Sequence, residues 1–79
     1  MPTILREGPY RFFFVSLDRE EPPHVHVRRE SMVTKFWLDP VVMERAGGFG
    51  PVELARIARL VQTHRPTFLE RWHEFFGAD

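Results

Sequence analysis

The stretch His24-Val25-His26-Val27-Arg28-Arg29, followed after Glu30-Ser31 by Met32-Val33-Thr34-Lys35-Phe36-Trp37-Leu38, decides the fold. Side chains alternate faces along a strand, so His24, His26 and Arg28 share one side while Val25 and Val27 take the other. In the second run Met32, Thr34, Phe36 and Leu38 oppose Val33, Lys35 and Trp37. Glu30-Ser31 is a tight link, and the two runs read as antiparallel strands. Working upstream, Pro22 and Pro23 hold the backbone extended and withhold two donors, which keeps Asp18 to Pro23 out of any sheet interior. Tyr10 to Leu17 is the densest aromatic and β-branched segment, with Tyr10, Phe12 and Phe14 on one face and Arg11, Phe13 and Val15 on the other. Both faces are apolar enough for a central strand. Pro2 to Arg6 is a further short strand, separated from it by the Gly8-Pro9 turn.

Downstream the period changes. Asp39 suits a helix N-cap and Pro40 the first helical position, so Val41 to Ala46 is expected to form a short helical turn. Gly47-Gly48-Phe49-Gly50 is a loop that Phe49 pins to the core. A long helix then begins at Pro51, with Glu53 in its first turn, and Leu54, Ile57, Ala58 and Val61 recur at helical spacing. Pro66 lacks the N–H that a straight helix needs, so the helix is expected to kink there or restart as a helix pair. Phe68, Leu69, Trp72, Phe75 and Phe76 continue the apolar face to Gly77. The class is α+β: a small antiparallel sheet of three or four strands, a short helical turn, and a C-terminal helix kinked at Pro66 or split in two.

Composition bounds the function. Seventy-nine residues make one domain, 1–79, and a core of that size is marginal on its own. Lys+Arg 11 against Asp+Glu 11 gives a formal net charge of +0, which does not favour a generally basic nucleic-acid binder and leaves only a local patch. Cys 0 excludes disulfides, thiolate metal sites and cysteine nucleophiles. No apolar run approaches a membrane span and no signal peptide is visible, so a cytoplasmic protein without a membrane partner is expected.

Three groups of side chains can carry chemistry. His24 and His26 point the same way and can converge on a metal ion or a phosphate, but a metal needs a third ligand. Glu20, Glu21, His64 and His73 are candidates by composition alone, so no metal or other cofactor is expected. The ordinary role of such a pair is structural, its nitrogens satisfied by carboxylates or water. With Lys35, the single lysine beside ten arginines, His24 and His26 form the candidate catalytic set for acid–base work on a phosphodiester. That set requires the register to bring Lys35 to the same face. Arg28, Trp37, Trp72 and Phe76 are the candidate binding residues. The tail from Phe68 to Phe76 holds more aromatic surface than a short domain hides within itself, so part of it is expected to dock on another chain.

Taken together, Met1-Pro2-Thr3-Ile4, Arg11-Phe12-Phe13-Phe14, Glu21-Pro22-Pro23-His24-Val25-His26-Val27, Lys35-Phe36-Trp37-Leu38 and Trp72-His73-Glu74-Phe75-Phe76 resemble a family of short bacterial proteins of unknown function. The Pro-Pro-His-Val-His core is the most specific element, and the likeness runs over nearly the whole chain. Members are frequently encoded beside a second small protein, in pairs described as toxin–antitoxin modules. The resemblance therefore implies a small protein partner encoded by a neighbouring gene; the marginal core of so short a chain adds a homodimer as the other expected form of contact. It brings no catalytic residues with it. A ribonuclease-like toxin using His24 and His26 is the rival expectation, and pairing with nucleic acid is its weaker corollary.

Overall fold

The computed structural model describes residues 3–77. Five strands form one antiparallel sheet: β1 (Thr3–Glu7), β2 (Tyr10–Phe13), β3 (His24–Arg29), β4 (Met32–Leu38) and β5 (Val41–Arg45). They lie side by side in chain order, a meander, because three of the four links are turns of two residues: Gly8-Pro9, Glu30-Ser31 and Asp39-Pro40. Only the β2–β3 link is longer, and it carries a 3-10 turn, Ser16–Glu20. A single helix, α1 (Pro51–Phe76), follows the sheet. None of its windows is long and apolar enough to cross a membrane.

Four expectations are corrected. The sheet has five strands rather than three or four. Val41 to Arg45 is a strand, not a helical turn: Asp39 and Pro40, joined by a cis peptide, form the turn of a hairpin. Val41 then pairs with Leu38 and Val42 with Trp37. A β-branched pair beside an open strand edge outweighs a capping signal that has only the short run Val41 to Ala46 to support. The helix does not restart at Pro66; it is one element of 26 residues. Finally, the second strand stops at Phe13, and Leu17 stands on the 3-10 turn, 89% exposed. Pro2, the expected start of the first strand, lies outside the described residues.

The core sits between one sheet face and the helix. Phe12, Val25, Val27, Phe36 and Leu38 from the strands, with Phe14 just beyond β2, meet Ile57, Val61, Phe68 and Trp72 of α1. Those helix positions follow the four-and-seven spacing of one apolar stripe. Phe12 stacks on Phe68, with ring centroids 5.3 Å apart, and Trp72 meets Phe14 edge-on at 5.2 Å. Phe49 is buried, as its expected pinning role requires. The helix start is clasped to the sheet, since Glu53 accepts hydrogen bonds from the Tyr10 hydroxyl and from Nε and Nη2 of Arg29. Farther along, Arg65 donates to the Leu38 carbonyl and to Asp39.

Candidate functional site

The face of the sheet turned away from the helix carries the chemistry. Register sets His26 opposite both Phe13 and Lys35, and His24 opposite Trp37. Directly opposed residues share a face, so the required register is the one the protein adopts. His24, His26 and Lys35 stand together, with Arg28 and Trp37 on the same face. Trp72 and Phe76 come from the helix. Trp72 is buried against the core and reaches round to the His24 ring, 5.0 Å away, while Phe76 is half-buried against Trp72 at 4.1 Å.

The imidazoles are bonded rather than open. The 3-10 turn brings Asp18 over β3, and its Oδ2 lies 2.8 Å from Nε2 of His24 and 2.8 Å from Nε2 of His26. The Pro22 carbonyl, which can only accept, takes the Nδ1 proton of His24 at 2.9 Å. His24 thus faces an oxygen on each side. His24 is fully buried and His26 is 6% exposed, its ring stacked on Phe13 at 5.3 Å. Lys35 is also enclosed. Its Nζ donates to Glu21 at 2.6 Å and lies 4.6 Å above the Trp37 ring.

Charge follows from this packing. Burial pushes the His26 imidazole below its ordinary value, against the opposing hydrogen bond it donates to Asp18 and with a further push from the charge of His24. Burial acts to raise the Asp18 carboxyl, but hydrogen bonds from His26 and His24 outweigh it and hold Asp18 below the usual carboxylate range. The cluster therefore keeps an ionised carboxylate under two rings.

Asp18, His24 and His26 are also the residues that can hold a divalent cation, since one ligand atom from each lies within 4.8 Å of the others. The donor types suit zinc, although 2.8 Å separations are those of hydrogen bonds as the site stands. The third member differs from every candidate drawn from composition. Glu21 pairs chiefly with Lys35, and His64 approaches Glu7 at 3.4 Å. Glu20 and His73 are exposed.

A second feature lies at the end of the helix. Ser16, Arg19, Phe75, Phe76 and Gly77 line a cleft of about 390 Å³. Ile4, Arg71, Glu74 and Phe75 line another of about 190 Å³. Phe75 borders both and is 43% exposed. The expected surplus of aromatic surface in the tail therefore comes down to Phe75, since Phe68 and Trp72 are absorbed by the core.

The model of a family described as "Domain of unknown function (DUF4160)" matches residues 10–73. No curated protein and no solved structure matches the chain.

Proposed function

The chain belongs to the DUF4160 family, and we propose that it is a partner-binding protein, one component of a toxin–antitoxin-like module in the bacterial cytoplasm. The partner is a small protein encoded by a neighbouring gene, as the resemblance to gene-paired bacterial proteins implies. One observation carries this reading: Phe75 and Leu17 remain exposed at the end of the molecule where the Phe75 clefts lie. An aromatic anchor at the rim of a cleft, next to Arg19 and Arg71, is the composition from which interface hot spots are built. The buried, bonded imidazoles point the same way, because they supply a rigid scaffold rather than an accessible acid and base.

Co-expression with the neighbouring gene product, followed by size-exclusion chromatography with light scattering, tests the proposal. A stoichiometric complex is expected, and Leu17→Asp with Phe75→Asp should dissolve it while leaving the free chain folded. Elution as free monomer alone would defeat the reading; a homodimer would reassign the same surface to a second copy.

A ribonuclease-like reading has one observation in its favour, the direct opposition of His26 and Lys35. It requires the 3-10 turn to lift Asp18 off the rings. Growth arrest on induction, abolished by His24→Ala or His26→Ala in folded protein, would support it. Unchanged growth and intact RNA after strong expression would remove it.

A further inference from the structure

The outer face of the sheet also carries a row of cations that the fold leaves without counter-charge. Register sets Arg6 opposite Arg11 and Arg11 opposite Arg28. Three guanidinium groups from adjacent strands thus share one face in a line. Residues opposed in this way sit roughly 4.5–5.5 Å apart at Cβ, and like charges there destabilise the pair. Other cations have carboxylate partners: Arg29 meets Glu53 at 2.7 Å, Lys35 meets Glu21 at 2.6 Å and Arg65 meets Asp39 at 2.9 Å. Among the described residues no carboxylate pairs with Arg6, Arg11 or Arg28. Arg28 Nε donates to the Glu30 carbonyl. Arg11 Nε is buried and has no hydrogen-bond partner, and its guanidinium lies 4.6 Å above the Phe13 ring.

In the next row Lys35, paired with Glu21, stands opposite exposed Arg45, whose guanidinium lies 3.8 Å from Glu44. One row beyond, partly exposed Trp37 stands opposite Val42. Asp18 and Glu21 reach this face but are engaged by His24, His26 and Lys35, while Glu20, Glu30 and Asp39 sit in turns and others lie on the helix, so the net charge of +0 conceals the row.

We propose that this face binds single-stranded nucleic acid, with Arg6, Arg11, Arg28 and Arg45 on phosphates and Trp37 as a stacking surface for a base. Guanidinium forks match phosphate oxygens two at a time, and repeated rows of them suit a repeating polyanion better than one isolated anion. An aromatic ring beside the cations is what a strand of bases uses and an acidic peptide does not. A broad antiparallel face presents no helix or slender ribbon to a duplex groove, which favours the single strand. The proposal does not rest on the protein-partner reading, which uses the far end of the helix.

Fluorescence anisotropy on the full chain tests it, with labelled oligouridylate, oligothymidylate and a duplex of equal length. Saturable binding to a single strand, weaker to the duplex, is expected; the RNA and DNA arms decide which backbone is preferred. If the four arginines each engage a phosphate, affinity should fall roughly 50-fold between about 50 and 200 mM salt. Arg6→Glu with Arg28→Glu should weaken binding at least about tenfold, and Arg6→Gln with Arg28→Gln, which keeps the side-chain bulk, should act in the same direction. Arg59→Glu, on the exposed side of the helix, should leave it unchanged. The proposal is overturned by absent binding at low salt, by equal binding to the duplex, or by an Arg59→Glu loss as large as that of the row variants. Tighter binding to polyglutamate than to either single strand would likewise overturn it and assign the face to an acidic protein.

Discussion

Asp18 is the residue on which the outer face depends. Its one oxygen satisfies two buried rings, so Asp18→Asn, which keeps the shape but replaces a charged acceptor, should cost about 1–3 kcal/mol by urea unfolding. The pH dependence has a definite sign. The folded His26 resists a proton that the unfolded chain accepts, so its contribution is complete above the ordinary imidazole value of 6.5 and is lost as pH falls toward the lower folded value. Asp18 contributes above its ordinary 3.8, and that part is lost as pH falls through its lowered folded value. Thermal midpoints measured across this range should therefore be highest above neutrality and decline on acidification, in two stages. A profile flat from neutrality to the carboxylate range would contradict the buried assignment of His26. The convergence of the two rings was legible in the alternation of residues 24 to 27. Their carboxylate was not, because Asp18 lies six and eight residues upstream and reaches them only through a 3-10 turn with no periodic signature.

At the scale of elements, the turns govern what can be changed. Gly47, between β5 and α1, has φ +66°, and a Cβ there would lie 1.8 Å from the Val33 carbonyl oxygen. Gly47→Ala should lose at least about 2 kcal/mol, since backbone cannot yield as a side-chain tip can. Gly8 has a similar φ of +58° but open space around it, so Gly8→Ala should cost only the left-handed penalty of about 1–2 kcal/mol. Calorimetry on the pair separates collision from conformation. Pro66 is exposed on a continuous helix, and Pro66→Ala should stabilise by up to about 3 kcal/mol because it adds a backbone donor. The β3–β4 hairpin and the helical stripe were both readable from period. β5 was misread because Asp39-Pro40 signals a helix start and a turn with equal force, and only the open edge of β4 decides between them.

For the whole molecule, one sheet face and one helix must supply the stability. A domain of this length typically has about 4–12 kcal/mol in total. Phe68, fully buried and stacked on Phe12, should cost about 3–5 kcal/mol when replaced by alanine. Near-UV circular dichroism of Phe68→Ala should accordingly show a large loss of fixed tertiary structure. The sheet-plus-helix architecture was legible because apolar periodicity switches from two to about 3.6 near the Gly47–Gly50 loop, whereas a count of five strands was beyond it. The meander also has two rims, β1 and β5, each with backbone donors and acceptors that no neighbour meets within the sheet. A copy seating its β1 rim on another's β5 rim makes a heterologous contact, which need not close and can repeat into a filament. Glu44 and Arg45 on one rim, with Arg6 and Glu7 on the other, are the charged sentries against that outcome, and a chain stripped of them should scatter light on standing long before it unfolds.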